Sequence, residues 1–199
     1  MGSPIISHAP LIIVSGPAHS GKTTLVNHLV RYLRRQGLQL VGILAEGHWC
    51  GERRSGFTLI DLSNGRRTPL ADLVDNCGPN EIPYAFRAEG LAAGRQALAL
   101  PRCAGADLLV VDEVGSLEVH GGGWSELLDP LLTQSRLLQL WVVQSRRLVA
   151  VCHHWQLTPI RIIDASAPDA LVNLITTVEQ VFSDLSLAGS PVVRPSHNP

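Results

Sequence analysis

The run LIIVS (11–15) is apolar up to its last residue and ends in a glycine turn, which predicts a buried strand. The period then changes. In KTTLVNHLVRYLRRQG (22–37), Leu25, Val26, Leu29, Val30 and Leu33 recur at helical spacing, arginines fill the last turn and Gly37 follows as a C-cap. A helix is predicted there. LQLVGILAE (38–46) predicts a second strand. Beyond GHWCGERRSG, the segments FTLIDL (57–62) and RTPL predict a hairpin, with Asn64 and Gly65 supplying its positive-φ turn.

The Pro- and Gly-rich stretch 71–90 breaks the pattern and is expected to be irregular and flexible. LAAGRQALALPRCAG (91–105) predicts a helix, DLLVVDEVG (107–115) a central strand, and WSELLDPLLTQS (124–135) a helix with Pro130 as a candidate kink. RLLQLWVVQS (136–145) contains another strand, RRLVAVCHHW a short helix, IRIID (160–164) a last strand and 167–185 a last helix. Strands alternating with helices predict an α/β fold with a mostly parallel central sheet flanked by helices, the hairpin being an antiparallel addition. No repeat or linker divides the chain, which predicts one domain over 11–185 between flexible tails at 1–10 and 186–199.

Composition narrows the function classes. At 199 residues and 45% hydrophobic the chain can bury a sizeable core, and its net charge of −1 comes with no basic stripe. No nucleic-acid partner is expected. No stretch approaches the roughly 20 apolar residues of a membrane span, and no basic, then apolar, leader opens the chain. The expectation is a cytoplasmic protein with no membrane partner. Cys50, Cys77, Cys103 and Cys152 form no CxxC, as reduced thiols would. HWC (48–50) and CHH (152–154) lack the paired spacing of a zinc site.

The strongest chemistry lies between the first strand and the first helix. Gly16, Pro17, Ala18, His19, Ser20, Gly21, Lys22 and Thr23, followed by Thr24, satisfy G-x-x-x-x-G-K-[ST] in the strand-to-helix setting that the motif requires. Glycines let backbone N–H groups turn inward on phosphate oxygens, and the helix aims its positive end at them. Lys22 is then placed for the β and γ phosphates and the Thr23 hydroxyl for Mg²⁺. Lys22 is also the only lysine, against fifteen arginines. A slim ammonium survives where a forked guanidinium fits poorly.

The strand LLVVDEVG supplies the other half: Asp112 is the candidate acid for the Mg²⁺ shell opposite Thr23, and Glu113 the candidate general base for an attacking water. Glu118 divides between catalytic support and a solvated loop acid. Among the arginine pairs, Arg53-Arg54 is the first candidate for charge developing on a transferred phosphate, then Arg146-Arg147, with Arg66-Arg67 last. Asp112–Gly115 also reads as the D-x-x-G of GTPases, but the guanine-reading N-K-x-D is impossible with the one lysine spent in the phosphate turn. The loop DASAPD (164–169) carries no base code.

The chain resembles the P-loop nucleoside-triphosphatases first known from thermophiles, with the animal cancer-related nucleoside-triphosphatase among them. The resemblance rests on SGPAHSGKTTL, GILAEGHWCGERRSGFTLIDLSNG, a tyrosine segment before the middle helix, and VDEVGSLE, in that order over residues 11 to 165. It implies a P-loop NTPase fold and slow, Mg²⁺-dependent hydrolysis of nucleoside 5′-triphosphates to diphosphate and phosphate, tolerant of the base. It implies the same roles for Lys22, Thr23, Asp112 and Glu113, and sets Glu46 and Arg54 near the site. Ser116 stands where many relatives have lysine, and HGGGW (120–124) reads as an insertion. A small-molecule or nucleotide kinase, with Arg87 on a lid, and a non-catalytic nucleotide-binding adaptor in cofactor assembly are the alternatives. No protein partner follows from the residues.

Overall fold

The computed structural model describes residues 8–74 and 83–187. Strand β1 (Leu11–Gly16) is buried at every position, and helix α1 (Lys22–Arg35) follows it with Val26, Leu29, Val30 and Leu33 turned inward. The remaining strands are β2 (Leu40–Cys50), β3 (Arg53–Asp61), β4 (Arg67–Leu73), β5 (Tyr84–Phe86), β6 (Leu108–Val111), β7 (Leu138–Gln144) and β8 (Arg161–Asp164). The remaining helices are α2 (Ala88–Ala97), α3 (Ser116–Val119), α4 (Ser125–Gln134), α5 (Ser145–His154) and α6 (Ala170–Leu187).

All eight strands form one sheet in the order β5-β4-β3-β2-β6-β7-β1-β8. The pairs β2 with β6, β6 with β7, β7 with β1 and β1 with β8 are parallel, and β2 through β5 form an antiparallel meander. Side chains alternate across the sheet. Ile12, Val14, Val110 and Val142 pack with α1 and α6 on one face, and Ile13, Val111, Trp141 and Leu128 pack on the other. The α/β sheet flanked by helices is therefore as expected.

The antiparallel part is larger than expected. Gly65, at φ 75°, does turn β3 into β4. GHWCGERRSG, however, is no connector: it carries β2 on to Cys50 and starts β3 at Arg53, with Gly51 between them at φ 60°. The end of this arm is half exposed, so no burial alternation marks it in the sequence.

The helix expected over 91–105 begins earlier, at Ala88, and gives way to a 3₁₀ turn at Leu100–Cys103, where Pro101 has no N–H for an α-helical bond. Helix α3 has no counterpart among the elements the sequence predicts. Of the irregular stretch 71–90, residues 71–73 belong to β4 and 84–86 to β5, and 75–82, with Cys77, lie outside the described residues. So do most of the expected tails. No described helix is long and apolar enough to cross a membrane.

Candidate active site

The turn from Gly16 to Thr23 opens at the carboxyl end of β1. Lys22 is only 6% exposed, and its Nζ donates to the Pro17 carbonyl at 2.6 Å, folding the side chain back over the turn. Burial holds its pKa below the ordinary lysine value, against the opposing pull of Glu113 and Asp112. The Ser20 hydroxyl oxygen is buried with no hydrogen-bond partner within the described structure. A buried orphan of this kind suits a turn built to receive an oxyanion. His19 adopts φ 63° at the outer bend of the turn.

Strand β6 lies two places from β1 in the sheet, and its end faces the first turn of α1. Asp112 is 1% exposed; its Oδ2 accepts from Thr23 Oγ1 at 2.9 Å and from the Ala45 N–H at 3.0 Å, and its Oδ1 from the Glu113 N–H at 2.9 Å. Burial first, and the neighbouring Glu113 second, push this carboxyl up to about 7. The donor set fits Mg²⁺, which takes hard oxygens from one or two protein groups and keeps several waters. Among the described residues no group of three or more His, Cys, Asp or Glu side chains converges, and HWC and CHH do not meet.

Glu113 breaks the alternation of the strand. Its φ is 61°, in the left-handed region that few non-glycine residues occupy, and the chain rejoins the sheet at once through Val114 N–H to Val142 O at 3.0 Å. A strained residue beside a buried acid is a common mark of function. Its Oε1 lies 3.9 Å from Nη1 of Arg54, which reaches over from β3.

The other candidates separate. Arg146 sits at the start of α5 and donates from Nε to Gln144 Oε1 at 3.0 Å; Gln144 pairs with Gly16 across the β7–β1 ladder. Glu46 is ion-paired with Arg67, and strand alternation puts it on the opposite face of β2 from Trp49, the cross-strand neighbour of Arg54. Arg87 donates to Asp72 Oδ2 at 2.6 Å, tying it to β4. Glu118 is no solvated loop acid: it is 3% exposed, accepts the Gly115 N–H at 2.9 Å, and burial raises its carboxyl to about 7.

Three aromatic residues near the site have no role assigned from the sequence, although all three lie in segments that carry the family resemblance. Arg54 Cζ lies 5.1 Å from the Trp49 ring centre and 4.9 Å from that of Phe57, and Tyr84 meets Phe57 edge-on at 4.9 Å. Trp49 in turn meets His19 edge-on at 5.0 Å.

A strand feeding a phosphate turn, with a parallel strand two places away in the sheet bringing acids to the helix that follows, is the P-loop NTPase fold. The solution structure of a human cancer-related nucleoside triphosphatase matches it with a TM-score of 0.66, covering 88% of this chain and 98% of that one at 20% identity. The crystal structure of THEP1 from the hyperthermophile Aquifex aeolicus matches with a TM-score of 0.61, the same coverage and 19% identity.

The family model described as NTPase matches residues 11–166, and the chain belongs to that family of NTPases. Nucleoside-triphosphatase THEP1 of Methanothermobacter thermautotrophicus is 32% identical over 132 residues, which is 64% of this chain and 72% of its own. The protein of the same name from Caldivirga maquilingensis is 31% identical over 127 residues, 64% and 71% of the two chains.

Proposed function

We propose that this protein hydrolyses nucleoside 5′-triphosphates to diphosphate and phosphate with Mg²⁺, slowly and with little regard for the base. The observation that carries the reading is Glu113, a carboxylate turned out of the strand beside Asp112 and facing Arg54. Nucleotide binding alone has no use for a second acid there.

The residues divide the work. The turn Gly16–Thr23, with Lys22 and the backbone N–H groups, binds the phosphates. Thr23 and Asp112 would hold Mg²⁺, which when bound neutralises phosphate-oxygen charge. Glu113 takes the proton of the attacking water. Arg54 offsets charge on the departing phosphoryl group, a task that falls to it the more because Ser116 stands where many relatives have lysine. Base tolerance is supported by the missing guanine-reading motif and by the loop after β8, whose residues DASAPD carry no base code. The kinase alternative loses support from Arg87, whose guanidinium is committed to Asp72.

The test needs no acceptor. Protein is incubated with ATP, GTP, CTP or UTP and Mg²⁺, and phosphate release is followed. Steady release from all four that disappears in Lys22→Ala and Glu113→Gln is expected. Release only on adding an acceptor would mean a kinase, and tight binding without turnover an adaptor.

A further inference from the structure

The β2–β3 arm does more than extend the sheet. Phe57 lies opposite Gly47, and Arg54 opposite Trp49. Residues 47 and 49 share a face of β2, so Phe57 and Arg54 share a face of β3 although they are three residues apart. An uninterrupted strand would put them on opposite faces. The ladder slips between His48 and Trp49, leaving Ser55 as the extra residue, and that bulge brings arginine and phenylalanine to one side.

Three further observations converge on the same guanidinium. A Cβ on Gly47 would sit 2.7 Å from Arg54 Nε, so the bare backbone of β2 is the floor on which the arginine lies. That Nε is buried and makes no hydrogen bond, so beyond the 3.9 Å approach of Nη1 to Glu113 it is aromatic faces that hold the head group. Trp49 is 50% exposed, which is a poor use of an indole in a fold whose other three tryptophans are at most 5% exposed. Its ring meets His19 of the phosphate turn edge-on and carries the Arg54 guanidinium on its face.

We propose that Trp49 is a positioning residue that clamps Arg54 against Phe57 and braces it on the phosphate turn, so that the chain carries its phosphoryl-transfer arginine preset in cis and needs no partner protein to supply one. This rests on the reading in which Arg54 acts on the transferred phosphate.

The test is a double-mutant cycle on the full chain with ATP and GTP. Trp49→Ala lowers kcat about tenfold with KM moved less than about threefold, as loss of one cation–π face predicts. Trp49→Phe restores most of the rate, and adding Trp49→Ala to Arg54→Ala costs nothing more. A wild-type rate in Trp49→Ala, or effects that multiply with Arg54→Ala, would overturn the proposal.

The side chain is half exposed, so its truncation opens no core, and a matched melting temperature checks that the fold is kept. A second readout does not need turnover. The Nε–Hε signal of Arg54 in ¹⁵N NMR is shifted upfield by the two rings and relaxes toward the free-arginine position in Trp49→Ala; an unmoved signal overturns the clamp. If the wild-type protein releases no phosphate, the hydrolysis reading fails on its own and the NMR result still decides the clamp.

Discussion

Thr23 donates its hydroxyl to Oδ2 of Asp112 at 2.9 Å, joining the first turn of α1 to the end of β6 across 89 residues of chain. The same oxygen holds the Ala45 N–H, so the carboxylate is fixed from two elements before any ligand arrives. Asp112→Asn and Thr23→Val should each lower kcat by about a hundredfold or more at saturating nucleotide, since each removes an oxygen proposed for the metal shell. A Mg²⁺ titration of phosphate release checks this. An unchanged Mg²⁺ dependence in Thr23→Val would remove that residue from the metal shell.

Glu113→Gln keeps the shape of the loop and takes away the proposed base. Turnover should fall by about 10²–10⁴-fold while nucleotide affinity stays within a few-fold of wild type. Single-turnover phosphate release alongside equilibrium binding separates the two quantities. Undiminished turnover would leave water activation to another group.

The buried Glu118 makes stability depend on pH. Its folded pKa of about 7 lies above the ordinary 4.5, so the native state binds the proton more tightly than the unfolded chain. The stabilisation is complete below 4.5 and is lost as pH rises through 7; Asp112, raised in the same sense, adds to it. The ceiling for Glu118 is on the order of 3 kcal/mol. Melting temperatures should fall from pH 5 to pH 8, and fall less in Glu118→Gln. Parallel curves for the two proteins would contradict the assignment.

Gly94 faces Trp124. A Cβ there would overlap the far edge of that indole, which is itself 4% exposed and has no room to retreat. Alanine normally stabilises a helix interior by up to ~1 kcal/mol over glycine. Overpacking costs roughly 1–3 kcal/mol, so the clash wins. Gly94→Ala should lower the urea midpoint, and a raised midpoint would show that α2 can slide.

What the sequence revealed follows the range of the interactions. The phosphate turn is contiguous with the strand and helix that define it, so Lys22 and Thr23 are legible from spacing alone. Asp112 is legible because an apolar strand runs straight into it. Arg54 is legible as one of an arginine pair, but its meeting with Trp49 is not, because that depends on one extra residue at Ser55, and a bulge changes strand parity without leaving a compositional trace. Glu118 stays undecided in the sequence for a related reason. It looks like a loop acid, yet the loop folds back over it, and a Cβ on Gly123 would collide with its carboxylate. The glycines of HGGGW read as an insertion, whereas Gly123 makes room for that acid.

The solitary lysine has one more consequence. Within these 199 residues there is a single ε-amine, and it is tucked into the phosphate turn. In the proposed reading, any acyl group that reaches a lysine within these 199 residues reaches the nucleotide site. Acetylation, or an amine-reactive label, at Lys22 should therefore report on occupancy and block it in the same event, and the mass shift of that one peptide reads how much of the protein stands empty.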